Sequence, residues 1–214
     1  MQLYVVRHGI AVEGSDGMPD GSRPLTEKGR RRFLRTARAF GKLGRKLDLI
    51  LTSPLVRAVQ TAEILAGASK HGKVGVLEEL DPKFEAPALR AAVAGRAGKA
   101  GTVAVVGHEP QLSSLLALLC EVSQADIDLK KGSIVRLDAA DLAEEKSDAR
   151  WWMKAKGNRV KGLPLQKQAK APRAPAKAAS GKSKRAAKHQ ARKRTAAAIP
   201  PKAARPATGA AVSV

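Results

Sequence analysis

The chain has 214 residues, enough for one ordinary α/β domain with an appendage, and carries a formal charge of +21. The excess is lopsided: from Trp151 to the C-terminus there are 17 Lys and Arg and no acid, whereas the residues before Trp151 hold 23 bases and all 19 acids. No apolar run approaches the roughly 18 residues of a membrane span, no signal-like apolar region precedes Arg7-His8, and a single cysteine, Cys120, cannot close an internal disulfide, so a cytoplasmic protein is expected.

Strand and helix signals alternate from the start. Leu3 to Val6 is an apolar, β-prone run closed by charge, the first strand. Thr26 can cap a helix over 27–44, with Phe33, Ala37 and Phe40 on one stripe and basic residues opposite. Residues 47–51 read as a second buried strand. Ser53-Pro54 is a helix start, a side-chain cap followed by proline in the first turn, for a helix reaching about Ala66. A short strand at 74–77, a small-residue helix at 87–97 and a fourth strand at 102–106 follow. Pro110 opens an apolar helix to Cys120, which reads as a small buried residue of that helix. Residues 133–137 and 151–153 read as two late antiparallel strands joined by an acidic turn over 138–148, with Trp151 and Trp152 as strand residues. Strand–helix repetition closed by such a pair argues for an α/β sandwich with a mixed sheet, expected to occupy residues 1–162.

Residues 163–214 change texture to Ala, Lys, Arg and Pro, with too little apolar surface to offset chain entropy, and are expected to be disordered on their own. The texture resembles histone-H1-like tails. No aromatic residue follows Trp152, so any binding is expected to be phosphate-directed and sequence-independent, to nucleic acid, polyphosphate or an acidic membrane surface. A solvated appendage without a dedicated partner is the alternative.

The chemistry sits in three separated segments: Arg7-His8-Gly9, Ser53-Pro54-Leu55-Val56-Arg57 and Gly107-His108-Glu109. The first and third each follow a strand run, and ligands of open α/β sheets gather beyond the carboxyl ends of strands. A neutral His8 has a ring-nitrogen lone pair able to attack phosphorus. Arg7 and Arg57 can serve as bidentate donors to phosphoryl oxygens, and His108 as a third, best when protonated, a state that a bound anion favours. Taken singly, Arg57 reads as a surface cation and either histidine as a satisfied structural residue. Metal binding by the two histidines lacks a third ligand, and Arg7 and Arg57 would repel a cation. The joint pattern, in this order, points to phosphoryl transfer.

Val5-Val6-Arg7-His8-Gly9 resembles the signature of the histidine phosphatase superfamily. Within it, the stretches from Arg23 to Gly29 and from Ser53 to Ala62, together with Glu79-Leu80-Asp81-Pro82 and Gly107-His108-Glu109-Pro110, are similar to the small SixA-type phosphohistidine phosphatases. The resemblance spans roughly residues 1–162. It implies a phosphoglycerate-mutase-like, three-layer α/β sandwich with a mixed, mostly parallel central sheet flanked by helices. It further implies a cofactor-free, metal-free phosphatase in which His8 is transiently phosphorylated and Arg7, Arg57 and His108 complete the phosphate pocket. Arg23 would stand at its rim, or pair instead with an acid such as Asp20.

Larger relatives that cleave phosphate from alcohols use a carboxylic acid on an inserted lid, and no insertion of that length is visible here. An imidazole protonated on its other nitrogen leaves as a neutral ring and makes less demand on a general acid. Glu109 and Glu79 are the candidate acids, although Glu109 also reads as a charge favoured at a helix N-terminus. The expected substrate is phosphohistidine on a protein. A small-phosphoester phosphatase of the same fold, and a nucleic-acid-binding protein with a residual phosphatase domain, are the alternatives. A monomer is expected.

Overall fold

Residues 3–6 and 103–106 are apolar and buried on both faces, the pattern of strands covered by helices on either side, and they lie paired at the middle of a sheet. The computed structural model describes residues 1–163 except 15, 45, 70–72, 144–145 and 156–158, so the basic segment expected to be disordered lies, apart from Leu163, outside the described residues. In chain order the elements are β1 (Gln2–Arg7), α1 (Glu27–Gly41), β2 (Leu49–Thr52), α2 (Val56–Ser69), β3 (Lys73–Val76), α3 (Ala86–Ala97), β4 (Thr102–Gly107), α4 (Gln111–Cys120), β5 (Ile134–Asp138), β6 (Asp148–Met153) and β7 (Arg159–Lys161). Single 3-10 turns occur at Asp20–Ser22, Glu78–Leu80 and Gln124–Asp126.

The seven strands form one sheet in the order β3-β2-β4-β1-β5-β6-β7. The four from β3 to β1 are mutually parallel; β5 is antiparallel to β1, β6 to β5 and β7 to β6. Because strand side chains alternate, the sheet feeds two cores. Tyr4, Val6, Ile50, Ala104 and Val106 pack against Phe33, Ala37 and Phe40 of α1 and Ala58, Ala62 and Leu65 of α2. Leu3, Val5, Leu51, Val103 and Val105 pack against Leu89 and Val93 of α3 and Leu112, Leu115, Leu116 and Leu119 of α4. The fold is thus the expected α/β sandwich with a mixed sheet.

Local differences from the sequence reading have physical causes. Helix α2 starts at Val56 rather than at Pro54, because Pro54-Leu55 forms a turn whose Leu55 carbonyl accepts from the amides of both Ala58 and Val59. Helix α1 stops at Gly41, and the turn after it closes with Gly44 N–H on the Gly41 carbonyl, where Gly44 adopts a φ of 67°. Strand β7 gave no period-two signal, since all three of its residues are exposed. Cys120 closes α4 as a buried thiol, its pKa pushed up to about 11 by burial. No helix among the described residues is long and apolar enough to cross a membrane.

Helix α1 is anchored beside the end of β1. The Thr26 hydroxyl accepts from the Gly29 amide at 2.9 Å and donates to the Ile10 carbonyl at 3.2 Å, so cap and anchor are one side chain. Gly29 lets the helix touch the backbone that leaves His8: a Cβ there would lie 2.0 Å from the Ile10 carbonyl oxygen. Gly29→Ala should therefore lower stability by about 3 kcal/mol, the upper end of overpacking costs, as read from denaturant melts. Gly67→Ala in α2, whose Cβ meets nothing within 4 Å, should instead add up to about 1 kcal/mol.

Candidate active site

The parallel ladder of β1 and β4 sets Arg7 opposite Gly107, so the next residues, His8 and His108, leave adjacent strands at one level. Their ring centroids lie 4.9 Å apart with the planes inclined by 48°. On the other side of β4, the pairing of Thr52 with Val106 sets Ser53 level with Gly107, one residue before His108, its amide donating to the Val106 carbonyl at 3.0 Å. The Ser53 hydroxyl lies 2.9 Å from His108 Nε2 and also accepts from the Leu55 amide at 3.3 Å. Ser53 thus joins the start of α2 to the second histidine.

The tautomer of His8 follows from its partner. Its Nδ1 lies 2.6 Å from the Gly9 carbonyl oxygen, which can only accept, so Nδ1 carries the hydrogen and Nε2 of the neutral ring holds the lone pair. Burial above all, with Arg57, Arg7 and Lys131 adding to it and the Gly9 hydrogen bond opposing, takes the His8 pKa down to about 4. His108 is pushed down to about 3, first by burial and then by His8 and Arg57. Both rings are therefore neutral near pH 7. The Thr61 hydroxyl in α2 accepts from the Gly9 amide at 3.1 Å and donates to the Arg57 carbonyl at 2.7 Å, which ties the backbone after His8 to the helix that carries Arg57.

Both arginines of the expected pocket are held, yet not fully spent. Arg7 donates through one terminal nitrogen to the Leu129 carbonyl at 2.7 Å. Burial lowers its pKa while Glu109 and Asp128 oppose that shift. Arg57, 5% exposed, donates to the main-chain carbonyl of Asp20 at 2.7 Å and to its carboxylate at 2.9 Å. The Nε atoms of both arginines and Nδ1 of His108 are buried without a hydrogen-bond partner. Orphaned buried donors are costly, and an anion rich in acceptors would relieve them.

Arg23, expected at the rim, takes the alternative open to it. Its Nε donates to Asp20 Oδ1 at 2.9 Å, NH2 reaches the same oxygen and NH1 donates to the Val12 carbonyl at 2.9 Å. The two candidate acids sit differently. Glu109 accepts from the Ser113 hydroxyl at 2.5 Å while its Oε1 is buried without a partner. Burial pushes its pKa up, and Ser113 and Arg7 pull it down. Glu79 is half-buried in the turn Glu78–Leu80 and contributes its main-chain carbonyl: the Gln111 amide nitrogen lies 2.8, 3.0 and 2.7 Å from the carbonyls of Glu79, Asp81 and Phe84. Sequence reasoning missed Ser53 as a partner of His108, and it missed Thr61 and Gln111. Asp20 entered only as a surface partner for Arg23, although its position three residues before Arg23 carries the signal of a shared turn.

The fold and site are those of an α/β protein with an anion pocket beyond the carboxyl ends of parallel strands. The family model for the histidine phosphatase superfamily (branch 1) matches residues 3–82. An uncharacterised protein of Picosynechococcus sp. is 39% identical over 139 residues, which span 64% of this chain and 84% of that protein. Among solved structures, the protein histidine phosphatase SixA complexed with tungstate aligns with a TM-score of 0.65 at 24% identity, covering 72% of this chain and 97% of SixA. A mycobacterial glucosyl-3-phosphoglycerate phosphatase aligns with a TM-score of 0.55 at 19% identity, covering 69% and 96% of the two chains. At these identities the two solved structures speak for the fold. The chain belongs to the histidine phosphatase superfamily, and it is a phosphatase of that superfamily.

The depressed histidine pKa values have a consequence for stability. Both folded-state values lie below the ordinary 6.5, so unfolding takes up protons as the pH falls. This contribution is fully present above about pH 6.5 and is lost progressively as pH falls towards 4, by about 1.4 kcal/mol per pH unit for each ring. Stability measured from pH 7 to pH 4.5 should therefore fall more gently in His8→Ala and His108→Ala than in the wild type. Parallel curves for all three would mean that the rings are not buried neutral.

Proposed function

We propose that the protein removes phosphate from phosphohistidine carried on a protein, by way of a phosphorylated His8. The observation that carries this reading is the hydrogen bond from His8 Nδ1–H to the Gly9 carbonyl, which leaves the Nε2 lone pair free on a ring kept neutral by burial and by Arg7 and Arg57. Nε2 attacks phosphorus, a new N–P bond forms and the N–P bond to the substrate imidazole breaks. That imidazole, protonated on its other nitrogen, leaves as a neutral ring. Water then attacks phosphorus, the bond to Nε2 breaks and inorganic phosphate departs. Arg7 and Arg57 supply fixed positive charge to the equatorial oxygens, and His108 donates once the phosphoryl charge has raised its pKa.

The substrate class is supported by what surrounds the pocket. Only residues 108–110 join β4 to α4 and only 53–55 join β2 to α2, so neither connection holds an inserted lid. A site with no lid on these two connections suits a phosphoryl group presented on a protein surface, and an imidazole leaving group does not require a strong acid. A small phosphoester is the second reading. It is favoured by Glu109, whose pKa burial raises next to Arg7 and whose carboxyl could then donate a proton to an alkoxide. Residues 163–214, with their bases and no acid, are proposed to bind polyanions independently of the site.

His8→Ala should abolish turnover, and acid-free quenching with labelled substrate should trap phosphate on His8 in the wild type. Substantial activity in His8→Ala with no trapped phosphate would sink the mechanism. Arg57→Ala should lose on the order of 3 kcal/mol of transition-state stabilisation, a hundredfold or more in kcat/KM. Glu109→Gln and Glu79→Gln should each lose less activity on a phosphohistidine protein than on an alkyl phosphate; equal losses would promote the phosphoester reading. Truncation after Gly162 should leave kcat on a small substrate nearly unchanged and abolish DNA or polyphosphate binding. In the full chain, affinity for duplex DNA should fall with salt at a log–log slope of roughly −0.9 per phosphate contact.

A further inference from the structure

We infer that Asp20 is a positioning residue of the phosphate pocket, gripping the outer edge of the Arg57 guanidinium so that its Nε–H is aimed at the phosphoryl group. The inference rests on the reading of Arg57 as a phosphate donor. Two acceptors of one residue hold two nitrogens of one guanidinium: the Asp20 carbonyl takes NH1 at 2.7 Å, and Oδ2 takes NH2 at 2.9 Å. A guanidinium is a rigid planar fork, so fixing both terminal nitrogens fixes its plane and the direction of Nε–H. That Nε is buried and without a partner. It is among the donors left over for a ligand.

Asp20 is itself aimed. Its side chain is 64% exposed while that of Arg57 is 6% exposed, so the carboxylate reaches inward from a surface loop to a buried cation. The loop between β1 and α1 is closed at its base by a bridge between Ala11 and Leu25, by Val12 N–H on the Pro24 carbonyl at 2.9 Å and by Thr26 N–H on the Ile10 carbonyl at 2.9 Å. The turn bearing Asp20 is closed by Ser22 N–H on the Pro19 carbonyl at 2.9 Å. Arg23 holds the remaining carboxylate oxygen through Nε and NH2, and is itself held by Val12. Arg23 thus acts through Asp20: it offsets the carboxylate's charge beside the pocket and fixes its orientation. A carboxylate merely standing in for phosphate would not carry the second, main-chain contact to the same arginine.

The test uses the full-length protein and measures affinity for inorganic phosphate by calorimetry, which needs no turnover. Asp20→Ala, Asp20→Asn, Arg57→Ala and the double variant Asp20→Ala/Arg57→Ala are compared, with circular dichroism and Tm recorded for each. Asp20→Ala should weaken phosphate binding about tenfold, the size of one charge-assisted hydrogen bond misdirected. Asp20→Asn, which keeps both acceptors for Arg57 but loses the charge that Arg23 holds, should fall between Asp20→Ala and wild type. The double variant should bind no more weakly than Arg57→Ala, since without Arg57 there is nothing for Asp20 to aim. Tighter phosphate binding by Asp20→Ala would show a competing internal anion and overturn the inference. So would additive losses in the double variant, or an unchanged affinity in Asp20→Ala beside a loss in Arg57→Ala. Unchanged affinity in Arg57→Ala would overturn the phosphate-pocket reading as well.

Discussion

The ladder between β1 and β4 sets Arg7 opposite Gly107, and a slip of one residue would turn one histidine to the opposite face of the sheet from the other. The core enforces that register. Leu3, Val5, Val103 and Val105 face one helical layer, Tyr4, Val6, Ala104 and Val106 the other, and all are 0% exposed. Shifting either strand would exchange the two sets of side chains between cavities shaped for different residues. The alignment of the two histidines is in this sense a by-product of packing that is enforced along the whole length of both strands. Ser53 joins the arrangement because β2 lies on the far side of β4 in equally fixed register.

Electrostatics at the strand ends work against the stability of the fold. Two arginines are brought under cover beside two imidazoles, and the cations help to keep both rings uncharged. The buried Nε–H groups of both arginines find no acceptor there. Each feature costs stability and favours an oxyanion in the pocket. Strain and unmet polar groups held in place by a rigid surround are a general property of sites prepared for binding. The surround here is the pair of helices on each face, with Gly29 allowing α1 to approach within contact of the backbone leaving His8.

Residues with an intrinsic chemical signature at the end of an apolar run were legible in the sequence. His8, His108, Arg7 and Arg57 could be picked out because strand ends and the Ser-Pro turn are marked locally, and the alternation of elements followed from the same runs. What escaped was whatever depends on contacts between distant segments. Gln111 sits at the start of an apolar helix, and nothing around it predicts that its amide reaches three carbonyls of the loop after β3. Thr61 reads as an ordinary helical residue, although its hydroxyl fastens Gly9. The dual grip of Asp20 on Arg57 links residues 37 positions apart and uses a main-chain oxygen, which leaves no trace in residue type. Strand β7 was invisible for a different reason, since it pairs at an edge with neither face covered.

The lone thiol at the end of α4 gives this architecture an internal reporter. Cys120 is 6% exposed, and burial holds its pKa near 11, so in the closed structure it is neither accessible to an alkylating reagent nor appreciably ionised. Modification has to wait until the C-terminal turn of α4 lifts from the core cluster in which Cys120 is buried. Because the chain holds no other cysteine, the rate of labelling by a thiol reagent follows a single opening event. Helix α4 begins three residues after His108, so opening of the helix that follows the second histidine can be followed in solution without any introduced probe.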